Sequence, residues 1–75
     1  MILAEINKQV GTNIRKYRTK KGWTQEKLAF EAGLHRAYIG QIERGEKNLG
    51  LKNLERIARA LGIKPGALLN YEYGN

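Results

Sequence analysis

Residues 24–45, TQEKLAFEAGLHRAYIGQIERG, read as two short helices with a glycine between them. Thr24 stands where the first helix needs a cap, its hydroxyl accepting from backbone N–H groups of the opening turn. Leu28, Ala29 and Ala32 recur at helical spacing and give one apolar stripe. Gly33 closes that helix, since glycine takes the left-handed backbone conformation freely. Leu34 then plugs the turn, His35 is in place to cap the second helix, and Gly45 stops it.

On a wheel at about 100° per residue, Arg36, Ala37, Gly40, Gln41 and Arg44 of the second helix share an arc of roughly 140°. Ile39 and Ile42 lie opposite, with Tyr38 and Glu43 at the borders. One face is therefore apolar and packs inward. The other is polar and partly lined by very small residues, which let a helix backbone approach a surface closely. Arg36 can bind guanine O6 and N7 in bidentate fashion, Gln41 can pair with adenine, and Ala37 suits a thymine methyl. Two helices joined by a short glycine-containing turn, the second placed in the major groove, make a helix-turn-helix.

Outward from this segment the chain stays helical. A first helix is expected over about residues 5–20, with Ile6, Val10, Ile14 and Tyr17 along one side. Gly11 weakens it slightly. Lys8, Arg15 and Lys16 lie opposite, and Lys20 and Lys21 follow; a solvated face explains them, with a phosphate contact by Lys20 or Lys21 as the alternative. Residues 1–5 are read as a frayed lead-in. Phe30 lies either at the surface or over the first helix. After a loop at residues 48–51, a fourth helix is expected over about residues 52–61, burying Leu54, Ile57, Ala58 and Leu61 and turning Arg56 and Arg59 outward. Gly62 ends it. Pro65 opens a short fifth helix in proline's favoured first position, capped by Lys64 or a neighbour. Ala67, Leu68 and Leu69 are too apolar to leave in water. No strand, repeat or glycine-rich phosphate loop is predicted.

The chain has 75 residues, enough for one domain. A domain this small buries only about 60% of its unfolded surface and is marginal alone, so dimerisation would help it. It contains no cysteine and one histidine, His35, which excludes disulfides, thiolate sites and histidine-rich metal sites. No metal or cofactor is expected. Fourteen Lys and Arg against seven Asp and Glu give a net charge of +7. Such a basic domain favours polyanions, although solubility alone also explains charge. No apolar run is long enough for a membrane span, and residues 1–3 are too few for a signal-peptide core. A soluble, cytoplasmic protein, associated with the nucleoid through DNA, is expected.

Three segments, IRKYRTKKGWTQEKLA (14–29), GLHRAYIGQIERGEKN (33–48) and LERIARALGIKPGALL (54–69), occur in an order and at a spacing that resemble the Cro/phage-repressor (XRE-type) helix-turn-helix family, over residues 10–69. Residues 35–61 are most similar to the small controller proteins of restriction–modification systems. The resemblance implies an all-α, compact, five-helix, lambda-repressor-like domain over residues 1–75. The helix-turn-helix would occupy about 24–45 and a dimerisation region about 62–73. It implies a structural ion pair between Arg18 and Glu43, and an apolar, partly buried Trp23. Thr24 and Gln25, at a helix N-terminus that attracts phosphate, and Arg44, Lys47 and Asn48, at the end of the second helix and in the loop, would touch the sugar-phosphate backbone. Tyr38 either joins them through its hydroxyl or turns its ring to the core. Pro65, Leu68 and Leu69 would form the dimer contact, close the monomer core, or both; Tyr71 and Tyr73 would extend the dimer patch or remain disordered. Where the family often has a proline, the 48–51 loop has none.

Function follows as an expectation. The chain should be a sequence-specific transcription regulator that binds double-stranded DNA as a homodimer on a palindromic operator, with half-sites about 34–36 Å apart. The resemblance points to a restriction–modification controller. A phage-type or chromosomal repressor, or an antitoxin that also binds a toxin, are the alternatives. With one domain, no small-molecule effector is expected. An enzyme acting on nucleic acid would need paired carboxylates or a metal site, and most of the seven acids fit helix surfaces or the Arg18 pair. An RNA reader would expose aromatic platforms, whereas the six aromatics here are scattered.

Overall fold

Apolar stripes at helical spacing dictate five helices, and a computed structural model of the chain contains them: α1 (Ile2–Lys20), α2 (Gln25–Ala32), α3 (Arg36–Glu43), α4 (Leu51–Leu61) and α5 (Pro65–Leu68). The structure describes residues 2–70, with side chains from residue 5 onward. Helix α1 starts at Ile2 rather than near Glu5, because residues 2–4 (Ile-Leu-Ala) contain no helix breaker. Helix α4 starts one residue early, at Leu51. Among the described residues no helix is long and apolar enough to cross a membrane.

Helix ends follow local chemistry, with two departures from expectation. The Thr24 hydroxyl accepts from the Lys27 N–H at 3.0 Å and caps α2. Gly33 closes the same helix with φ +69°, a left-handed conformation that a side chain would strain. His35 and Lys64 occupy the N-cap positions of α3 and α5, but neither side chain makes a capping hydrogen bond. Their side chains offer poorer cap acceptors than Ser, Thr, Asp or Asn.

The core is a single cluster at the meeting of all five helices. Ile14 from α1, Leu28 from α2, Ile39 and Ile42 from α3, Ile57 from α4 and Leu68 from α5 are its largest fully buried side chains. Each contributes on the order of 1.5–3 kcal/mol relative to exposure. Leu68 was a candidate dimer contact; it is instead 0% exposed and seals the core beneath α5. Leu69 beside it is 45% exposed, and Pro65 is exposed. Tyr71 and Tyr73 lie outside the described residues.

Two features of α1 decide how the bundle closes. Asn13 is buried, and its Nδ2 donates to the carbonyls of Leu68 and Asn70, both at 3.0 Å, while its Oδ1 accepts from Gln9. It thereby satisfies carbonyls at the end of α5 and just beyond it that would otherwise lack partners. Gly11 faces the C-terminal end of α3. A Cβ placed there would stand 2.8 Å from the Glu43 carbonyl oxygen and would also meet that of Ile42. The glycine that weakens α1 locally is therefore what permits its close crossing with α3.

The two effects of Gly11 oppose each other, so a substitution decides between them. Helix propensity alone would make Gly11→Ala stabilising by about 1 kcal/mol. The collision with rigid backbone should outweigh this and destabilise by about 1–3 kcal/mol, lowering the Tm by several degrees in thermal denaturation followed by circular dichroism. A raised Tm would contradict the close-crossing account.

Candidate nucleic-acid interface

The candidate interface starts from the buried side of α3. Ile39 and Ile42 anchor it in the core, as the wheel required. Its polar border is anchored by Arg18, which grips Glu43 in a bidentate pair, Nε to Oε2 at 2.6 Å and Nη2 to Oε1 at 3.0 Å. The two side chains are 11% and 4% exposed. The remaining Arg18 edge donates through Nη1 to the Trp23 carbonyl at 2.7 Å. Gln25 Nε2 donates to the same Glu43 carboxylate at 3.0 Å. Four positions on α1, the α1–α2 turn, α2 and α3 are thus joined by one hydrogen-bonded network. The expected ion pair is present, and it extends to Gln25 and Trp23, which the sequence did not connect to it.

With α3 fixed this way, its opening turn is presented outward. Arg36 and Ala37 are exposed and Gln41 is half-buried. Gly40 departs from the expected outer surface. It is buried, because the Gln25 amide and the Arg44 guanidinium lie over it; a Cβ there would stand 3.6 Å from Gln25 Oε1 and 3.3 Å from Arg44 Nη1. Its missing side chain makes room for those two groups.

The candidate backbone contacts surround this turn, and most already hold a partner. The Tyr38 ring packs against the core, and its hydroxyl accepts from Asn53 Nδ2 at 2.9 Å. The core reading of its ring therefore holds. Asn48 Oδ1 accepts from Asn7 Nδ2 at 2.8 Å, tying the loop after α3 to α1. Arg44 grips Glu46 at 2.8 and 3.1 Å on the exposed surface. Their hydrogen bond, with the attraction of opposite charge, holds the Glu46 carboxyl below its ordinary range and the Arg44 guanidinium above its own. Lys47 is exposed. Trp23 is half-buried, with the Lys21 ammonium 4.8 Å and that of Lys27 5.6 Å from its ring centroid. Phe30 is at the surface, 79% exposed.

Sequence reasoning passed over Asn7, Asn13 and Asn53. Asn13 did carry a signal: it sits three residues from Val10 and four from Tyr17, inside the apolar stripe of α1. Asn7 and Asn53 carried none, because each is defined by a partner distant in sequence.

Comparison with known proteins agrees with this architecture. A family model described as helix-turn-helix matches residues 14–68. The control protein C.BamHI of Bacillus amyloliquefaciens is 50% identical over 62 residues, spanning 81% of this chain and 76% of that protein. The control protein C.SmaI of Serratia marcescens is 42% identical over 65 residues, 87% of this chain and 77% of its own length. The crystal structure of the restriction–modification controller protein C.AhdI from Aeromonas hydrophila superposes with a TM-score of 0.81 at 45% identity, covering 83% of this chain and 94% of that one.

Removing one partner of the Arg18–Glu43 pair leaves the other charge buried. Glu43→Ala should destabilise the fold by on the order of 3–5 kcal/mol, measured by urea denaturation. Replacing both partners with apolar residues of similar volume should cost clearly less. Equal losses in the single and double variants would mean that the pair is not coupled as drawn.

Proposed function

The chain belongs to the helix-turn-helix family of DNA-binding transcription regulators, of the Cro/phage-repressor type, and from that membership we propose that it is a restriction–modification controller that binds a palindromic operator as a homodimer. The observation that carries this reading is the presentation of α3. Its inner side is locked by Ile39, Ile42 and the Arg18–Glu43–Gln25 network, while Arg36 and Ala37 stand open. Arg36 reads guanine, Gln41 reads adenine and Ala37 meets a thymine methyl. Gly40 contributes by letting Gln25 and Arg44 lie close to the helix.

The backbone contacts set register and supply affinity without reading sequence. Thr24 and Gln25 meet phosphate at the start of α2. Arg44, Lys47 and Asn48 meet the backbone beyond the end of α3; Arg44 exchanges Glu46 for phosphate, and Asn48 shares its amide with Asn7.

Dimerisation uses the surface beside α5. Leu69 and Leu51 are 45% and 81% exposed and line one groove, whose walls include Ile6, Leu49 and Leu54. Large apolar side chains grouped this way favour a protein contact. A two-fold dimer on a palindromic operator would set its two copies of α3 about one DNA turn, 34–36 Å, apart. A dimer on paired operator sites would regulate by its own concentration, without an effector.

Selection of duplexes from a random-sequence pool at physiological salt should yield a palindrome with half-sites one turn apart, and two adjacent palindromes would favour the controller role. Absence of any enriched sequence would overturn base-specific recognition. On the selected site, Arg36→Ala should cost about 1–3 kcal/mol and relax one base pair, whereas Lys47→Ala should weaken all duplexes alike and lower the salt slope by about one. Equal losses on cognate and random DNA for Arg36→Ala would remove it from base reading. Leu51→Ser combined with Leu69→Ser should shift the protein from dimer to monomer in sedimentation at unchanged helicity. A persistent dimer would place the interface elsewhere.

A further inference from the structure

We propose that Trp23, with Lys21 and Lys27 gathered on its ring, forms a further DNA-backbone subsite that takes phosphate beside the duplex segment read by α3. The two ammonium groups lie 4.8 and 5.6 Å from the indole centroid, inside the range of roughly 6 Å over which the ring quadrupole attracts a cation. The ring is half-buried, so one part of it is held by the core while the lysines approach from solvent. Two like charges collected on one ring repel each other. An anion bound beside the two ammonium groups relieves that repulsion, so the cluster favours negative charge.

Neutralisation inside the chain is incomplete. Lys27 pairs with Glu31 at 2.8 Å on an open surface, where such a pair is readily exchanged. Among the described residues no carboxylate pairs with Lys21. The platform is also rigidly placed. The Trp23 carbonyl accepts from Arg18 Nη1 at 2.7 Å and its N–H donates to the Arg18 carbonyl at 3.1 Å. The same Arg18 holds Glu43 of α3, and Gln25, two residues beyond Trp23, donates to the Glu43 Oε1 that Arg18 Nη2 also holds. The backbone that carries the indole therefore keeps a fixed relation to α3, as a phosphate contact in register with base reading requires.

This subsite rests on the DNA-binding reading above, and its test separates the two. Trp23 is the sole tryptophan of the chain, so its emission reports this place alone. The intact protein is titrated with the selected operator duplex while binding is followed independently by anisotropy of a label on the DNA, at several salt concentrations. The Trp23 emission should be quenched in step with the anisotropy. The double variant Lys21→Gln, Lys27→Gln should keep its Tm, weaken cognate and random duplexes by the same factor, and lower the salt slope by about two. Saturating anisotropy with unchanged Trp23 emission, or an unchanged slope in the double variant, overturns the subsite and leaves the regulator reading intact. No anisotropy change with any duplex overturns both.

Discussion

The structure depends on one buried carboxylate. Glu43 takes two hydrogen bonds from Arg18 and a third from Gln25. Taking an ion pair out of water is costly, and a pair alone often fails to recover that cost. Here the guanidinium is further satisfied by the Trp23 carbonyl, so nearly every polar edge finds a partner. What the network supplies is geometry. It binds α1, the start of α2 and the end of α3 together, where apolar side chains alone would permit small rotations of α3. Gly11 is its steric counterpart, since the approach of α1 that brings Arg18 to Glu43 requires an absent side chain at the crossing.

That fixed frame determines what the surface around α3 offers. Most polar groups around α3 are already engaged: Tyr38 by Asn53, Asn48 by Asn7, Arg44 by Glu46 and Thr24 by the Lys27 N–H. Side chains held in place before binding lose less freedom on binding. Arg36 and Ala37 stand open by contrast. The pattern suits a surface in which outlying groups fix position and a few free ones discriminate.

The short fifth helix shows how finely a role divides between neighbours. Leu68 and Leu69 are identical in chemistry and adjacent in sequence, yet one is sealed in the core and the other stands in solvent. Asn13 holds that arrangement by accepting responsibility for the carbonyls of Leu68 and Asn70. The closure of the core and the exposure of Leu69 are thus set by the same turn.

The five helices, the glycine turn after α2 and the inward stripe of α3 were legible in the sequence because they depend on residues three or four apart. The ion pair of Arg18 and Glu43, and the family itself, were legible as a motif resemblance carried by residues 14–69. The early start of α1 escaped because frayed and stable ends share one composition. Tertiary structure alone decided that Gly40 is covered, that Gly11 is a crossing point, that Leu68 turns inward, and that Asn7, Asn13 and Asn53 hold partners. It also decided that two lysines converge on Trp23. Each of these depends on which backbone atom or side chain a distant segment brings within a few ångströms, and that separation is set by how the helices cross rather than by any period along the chain.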